Sequence, residues 1–519
     1  MQSTLSPEFC QLIVSEGSTS ALSDFIAENH RLYRQHPEIR AAIKSDQTAH
    51  GLEKKRGRAE LKDLAERRRD EIEAHIPGLE SVPHSFADDA QEDGALLEGR
   101  RRMKPLLLFV LLMLRGRLGS VTDQASQCIL HDSRCVAQFL AENNLSLPAR
   151  STISENLNCL SAGTLQLVLQ CQLADAHAEG MDDFTRAVVD STPVGCDMEF
   201  TSDYVLVRRA VERLADCLDT LRRKGLSTLK LGLDSWESTW RDTVVRRAKE
   251  CSMASGKDAK STRRQGCREI IQCACKFSCR LETTVDALKT RMKEERLEGL
   301  TPCKWNLFCK LTRRASLAQV EIAHCCNQLN CRMFLGVDIA AGDKYLGFAD
   351  PDARIIVKGG RQPVLGYHPQ LARSGHGLVV GFELDPETLN DARSLKPLAE
   401  SIVLSTGKTP KVLATDDGYT SKENMDMAAA MGIGLLVNSG AKGRRLAGEE
   451  LWNSEEHREA RRWRSSVESL MSWLKNSYGM DRMRRTGVEA VRAEMLETIL
   501  AYNCTLMVRM RQGMTKSAA

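Results

Sequence analysis

Glu468 stands four residues after Arg464 and seven before Lys475, within Arg461-Arg462-Trp463-Arg464-Ser465-Ser466-Val467-Glu468-Ser469-Leu470-Met471-Ser472-Trp473-Leu474-Lys475. On a helix turning about 100° per residue, both bases fall on the face that carries the acid. A carboxylate framed by cations suits a site that holds a metal ion and an anionic polymer together. Alone, the pattern equally describes a solvated helix with an (i, i+4) ion pair. Two further acids shift the balance. Arg186-Ala187-Val188-Val189-Asp190 is a short apolar run ending in a carboxylate, followed by the breaker Ser191-Thr192-Pro193. Lys411-Val412-Leu413-Ala414-Thr415-Asp416-Asp417-Gly418-Tyr419 has the same form. Both read as buried strands delivering an acid at their carboxyl ends, where open sheets gather ligands. Three carboxylates can hold two divalent cations about 4 Å apart. Mg²⁺ keeps several waters, so it needs few protein ligands. Such a pair activates water or a sugar hydroxyl and stabilises the leaving oxygen of a phosphodiester.

Adjacent residues on an extended strand point to opposite faces, so only one of Asp416 and Asp417 can serve. Asp338, which ends the apolar run Phe334-Leu335-Gly336-Val337, is a rival for the first acid and ranks below Asp190.

The elements that must position these acids follow from pattern. Segments 354–360, 364–368 and 377–384 read as a small antiparallel meander broken by glycines. A helix is expected near 387–405 with Pro386 at its start, another from Ser421, and a strand over Gly432–Val437. The whole is α/β, a mixed sheet flanked by helices, with helical additions. Residues 1–98 form a helical N-terminal region ending in an acidic linker at 86–98. Residues 99–180 form a second helical block for DNA binding or dimerisation. Within it, Leu118–Ala125 resembles the turn of a helix-turn-helix, and Ser151 is a candidate N-cap. The catalytic core takes 181–202 and 341–510, and 203–340 is a helical insertion. The apolar run Pro105–Leu114 is far too short to span a bilayer and reads as a buried helix.

Composition agrees with this division. The chain has 519 residues, 42% hydrophobic and 27% charged, an ordinary globular balance for two to four domains. The net charge of +4 does not choose a partner. Basic clusters at 54–58, 67–69, 100–104, 461–462 and 482–485 can nevertheless form local phosphate-binding surfaces, although acids interleave the 54–69 run. The 18 cysteines contain no CxxC pair and read as reduced and structural, with Cys273, Cys275 and Cys279 as small apolar helix residues. No targeting segment is evident, so the cytoplasm is the expected location.

The three acidic motifs resemble those of bacterial insertion-sequence transposases of the DDE class. Asp190-Ser191-Thr192 is similar to the family's first-aspartate strand. Asp416-Asp417-Gly418-Tyr419 is similar to its second, which favours Asp416 over Asp417. Arg464-x3-Glu468-x6-Lys475 is similar to its third, except that Arg461 stands where a tyrosine is usual. Lys358-Gly359, Gly366-Tyr367 and the closing helix at Glu497–Asn503 also match the pattern. The resemblance implies an RNase H-like catalytic core in which Asp190, Asp416 and Glu468 are the catalytic carboxylates. They would ligate two Mg²⁺ ions, with Mn²⁺ able to substitute, while Arg464 and Lys475 contact DNA. It further implies double-stranded DNA partners (terminal inverted repeats and target), a homodimer or higher assembly on DNA, no membrane, and a bacterial, nucleoid-associated location. The 226-residue gap between the two aspartates is explained by the insertion. Two rivals remain: an RNase H-fold nuclease without strand transfer, and a catalytically dead DNA-binding derivative.

Overall fold

Strand β1 (Arg186–Ser191) is the middle of a five-stranded sheet ordered β6-β5-β1-β7-β8. On one side it pairs antiparallel with β5 (Gln370–Ser374), and β5 with β6 (Val379–Glu383). On the other it pairs parallel with β7 (Val412–Asp416), and β7 with β8 (Leu435–Ser439). Every residue of β1 after Arg186 is buried, which is why the strand reads as a continuous apolar run rather than an alternating one. Val188 lies opposite Ala414. Two residues further along each strand, just past the last paired residues, Asp190 and Asp416 fall on the face of Val188 and Ala414.

The computed structural model describes residues 16–51, 103–119, 123–198, 200–226, 235–295, 299–340, 343–350, 352–358, 362–386 and 390–518. These fall into two compact units. One contains the sheet and takes its described residues from 16–50, 103–198 and 352–518; the other takes them from 51 and 200–350. The contact boundaries thus join the helices at 16–50 and 103–180 to the sheet in a single unit. The acidic segment 86–98 and the basic runs at 54–58, 67–69 and 100–102 lie outside the described residues.

In the first unit, helix α1 (Pro105–Leu118) is buried on all sides from Leu107 to Leu114, as expected for an apolar run of this length. It packs against the long C-terminal helix, which also contacts α2 (Ala162–Ala178). Gly116 permits this approach, since a Cβ there would meet the Glu497 carbonyl oxygen at 2.3 Å. The Glu497 carboxylate lies almost fully buried between Arg115, at 2.6 Å, and Arg485, at 2.6 Å.

Three local expectations are corrected. The meander is split: β3 (Arg354–Ile356) and β4 (Val364–Tyr367) join β2 (Val194–Gly195) in a separate three-stranded sheet, while β6 belongs to the large one. Its partner β5 escapes pattern reading because Gln-Leu-Ala-Arg-Ser has neither alternation nor an apolar run, and pairing with β1 makes it a strand. Helix α3 (Asp391–Thr406) begins later than Pro386, where the Asn390 side chain accepts the Ala392 N–H at 3.0 Å. The helix over Arg150–Leu157 starts after Ala149, so Ser151 lies inside it and is not the cap. Of the helix-turn-helix candidate, Ser120–Thr122 lie outside the described residues.

The second unit is built on helices Asp203–Arg223, Ser235–Met253, Ala259–Lys293 and Pro302–Asn330. Leu214, Leu218, Phe277, Phe308 and Ile322 fill its core. Arg291 is buried there, donating to the Leu226 carbonyl at 3.0 Å and lying over the Phe308 ring at 4.4 Å. Cys251, Cys267, Cys325 and Cys326 are buried, but Cys275 and Cys279 are exposed, correcting the apolar reading of those two. All the described cysteines are free thiols. No described helix is long and apolar enough to cross a membrane.

At the start of β6, α7 (Val488–Ala518) and the sheet are pinned by Asn503. Its amide accepts the Val379 N–H and donates to the Val379 carbonyl, both at 2.9 Å. Asn503→Ala leaves both backbone groups buried without that partner and is expected to lower unfolding free energy by about 2 kcal/mol or more, measured by urea denaturation.

Candidate active site

The parallel pairing of β1 and β7 brings Asp190 and Asp416 to neighbouring strand ends, and one side chain joins them to Glu468. The Arg464 guanidinium lies 3.1 Å from Asp190 Oδ2, 3.8 Å from Asp416 Oδ2 and 3.7 Å from Glu468 Oε1. Asp190 is buried; its Oδ1 also accepts the Ser191 N–H at 2.7 Å and the Lys358 ammonium at 3.2 Å. Burial, and then the charge of Asp190, push the Asp416 carboxyl above its ordinary range. Glu468 is the exposed member, with about two-thirds of its side chain open to solvent.

Asp417 points elsewhere. Its carboxylate accepts the N–H groups of Lys442, at 3.2 Å, and Gly443, at 2.9 Å, in the first turn of α4 (Ala441–Asn453). Burial opposes ionisation there, but those two backbone donors hold the carboxyl below its usual range. Asp338, the other rival, belongs to the second unit, where it is exposed and 3.5 Å from Lys344.

Of the two bases only Lys475 shares a helix with Glu468. Arg464 closes α5 (Glu455–Arg464), and Glu468 lies in the first turn of α6 (Ser466–Tyr478), with a break at Ser465. The break lets α5 follow β7 and β8 while α6 packs on β1. Lys475 reaches the segment after β1: its ammonium donates to the Pro193 carbonyl at 2.6 Å and holds that turn. Arg461, at the usual tyrosine position, lies 3.8 Å over the Trp452 ring and donates to the Trp452 carbonyl at 2.8 Å.

Four residues that sequence reasoning gave no role complete the cluster. Lys358 also donates to the Ser191 carbonyl at 2.6 Å and its hydroxyl at 2.8 Å, so it fixes the end of β1. Asp391 opens α3 and accepts from Gln370 at 3.1 Å; the Gln370 carbonyl in turn accepts the buried Tyr419 hydroxyl. Gly418 faces two of the acids, since a Cβ there would lie 3.0 Å from Asp416 Oδ1 and 3.1 Å from Asp391 Oδ2. His368 is buried 3.9 Å from Asp391, and burial lowers its pKa. The signal for Asp391 is present as Asn390-Asp391, but an acid at a helix start reads as ordinary capping. Lys358 has only a local resemblance and no spacing to tie it to Asp190.

The donor set is hard oxygen from separate elements, which suits Mg²⁺. The oxygens of Asp190 and Asp416 already converge on one cationic group, the Arg464 guanidinium. The three acids are nonetheless wider apart than a preformed cluster with all ligand atoms within 4.8 Å.

Residues 349–504 match the family described as the transposase DDE domain. That match supports a DDE-class transposase. The matched segment contains Lys358, Asp391, Asp416, Arg464, Glu468 and Lys475 but stops short of Asp190, which the sheet itself brings to Asp416. No curated protein and no solved structure matches the chain. The matched family implies DNA binding, general use of a divalent metal and an RNase H-like core; the mixed sheet is consistent with that core. Asp417→Ala is expected to cost about 1 kcal/mol of stability by removing a helix-start acceptor, seen in thermal melts, while Mn²⁺ affinity stays within about twofold of wild type by electron paramagnetic resonance.

Proposed function

We propose that this transposase cleaves the ends of its mobile element and joins the freed 3′-hydroxyl to target DNA, with Asp190, Asp416 and Glu468 as the catalytic carboxylates. The observation that carries this reading is the contact of one guanidinium, Arg464, with all three acids. Two of those acids sit on adjacent parallel strands, while the third is on the surface, open to a polymer. Divalent ions, when bound, would supply charge for activating water or hydroxyl and for stabilising the leaving oxygen.

The chain's own groups divide the work. Asp190 and Asp416 supply fixed carboxylate oxygens whose orientation is set by the Ser191 and Gly418 N–H groups. Glu468, on a helix, completes the set from the solvent side. Arg464 offsets the mutual repulsion of the acids before DNA and metal arrive, and a guanidinium so placed also suits a backbone phosphate. Lys358 and Lys475 hold the residues on either side of the β1 terminus, a positioning role. Assembly as a homodimer or higher on the DNA belongs to the same proposal.

Asp190→Asn, Asp416→Asn and Glu468→Gln are each expected to lower end cleavage by about 10³-fold or more, while binding of end DNA changes less than about threefold. Labelled-end cleavage with Mg²⁺ and a mobility-shift assay read the two quantities. Wild-type cutting by Asp190→Asn would refute the assignment. A supercoiled target separates the readings: cleavage without joined product would identify a nuclease lacking strand transfer. Lys475→Ala is expected to reduce cleavage about tenfold by loosening the turn after β1, with the salt dependence of DNA binding unchanged. A reduced salt slope would instead assign it a phosphate contact.

A further inference from the structure

Three chemically different donors meet where the N-terminal helices pack on α2, away from the catalytic acids. They are His36, in the break before the helix at 37–51, Glu38 in that helix, and Cys171 on α2. One donor atom from each lies within 4.8 Å of the others. Glu38 Oε1 is 2.9 Å from His36 Nδ1 and 3.5 Å from Cys171 Sγ. A tetrahedral Zn²⁺ with bonds of about 2.0–2.3 Å holds its ligand atoms roughly 3.3–3.8 Å apart. Small side-chain rotations cover the difference.

The surroundings also resemble those of a metal site. His36 Nε2 is 2.8 Å from Asp175 Oδ1, and Asp175 Oδ2 accepts from Arg31 at 3.1 Å. Metal-bound imidazoles commonly donate their second ring N–H to a carboxylate that is itself held in place. Asp175 lies one helical turn after Cys171, so α2 supplies both the thiol and this orienting acid. Cys171 is buried and Glu38 is half exposed, which leaves the solvent side for a fourth ligand, water.

We propose that His36 Nδ1, Glu38 and Cys171 bind a single Zn²⁺ that staples the N-terminal helices to α2, with Asp175 orienting the imidazole. Binding displaces the proton on Nδ1 and the thiol proton, both released to solvent, with no change of oxidation state. The competing arrangement is an imidazolium bridging two carboxylates.

The test uses the full chain, stripped with chelator and held in excess Mg²⁺. Zn²⁺ is titrated in competition with a chromophoric chelator, and Co²⁺ is followed by its thiolate charge-transfer band. Wild type is expected to take up one equivalent of Zn²⁺ that is lost in Cys171→Ser and His36→Ala and kept in Asp190→Asn. Asp175→Asn should weaken binding about tenfold or more. Glu38→Gln, a change at a half-exposed position, keeps the test decisive if the buried variants fail to fold; it should weaken binding by at least about tenfold. Uptake unaltered by Glu38→Gln, or a Co²⁺–thiolate band retained in folded Cys171→Ser, would overturn the proposal.

Discussion

Parallel pairing of β1 with β7 puts two aspartates at the ends of neighbouring strands, both within 4 Å of one Arg464 nitrogen, and the remaining features of the site answer to it. Like charges so close are unfavourable in a partly buried setting, and the structure responds with cations from two directions. Arg464 comes from the end of α5 and Lys358 from the residues after β3. The break at Ser465 matters for the same reason, because it lets an arginine and a glutamate approach from two helix axes.

That pairing joins segments far apart in the chain. β1 ends at Ser191 and β7 begins at Val412, with the second unit's residues between them in sequence. Loop-closure entropy rises only logarithmically with length, so a folded insertion costs a sheet little. The strand's anchorage is strong enough to hold the closure: Ala187 to Ser191 are buried, and β1 is hydrogen-bonded on both edges. Outside the sheet, α7 closes the unit through Glu497, held by two arginines, and Asn503, which pairs with Val379.

Much of this is legible in the order of residues alone. Apolar runs ending in acids locate β1 and β7, and the uniformly apolar 105–114 run locates a buried helix. Fully covered elements advertise themselves because nothing polar can be tolerated on any face. Elements whose identity comes from their partners do not show in this way. β5 is polar enough to pass for a loop, and the separation of β3 and β4 into a second sheet follows from pairing with β2. Asp391 and Lys358 look ordinary for the same reason: an acid at a helix start and a lysine before glycines have common local explanations.

Local pattern settles which residue types could do this chemistry and that two of them end buried strands, since composition and hydrophobic periodicity are properties of short segments. Which of Asp416 and Asp417 faces Asp190 is settled only by packing in three dimensions. The two are adjacent in sequence and alike in chemistry, yet one continues the β7 register and the other turns to cap α4. Packing likewise sets Arg464 against all three acids and carries Lys475 to Pro193. Helical spacing puts both bases on the face of Glu468, and Arg464 does lie 3.7 Å from it, but spacing alone does not send Lys475 to Pro193. Here the break at Ser465 and the packing of α6 on β1 fix where each side chain ends.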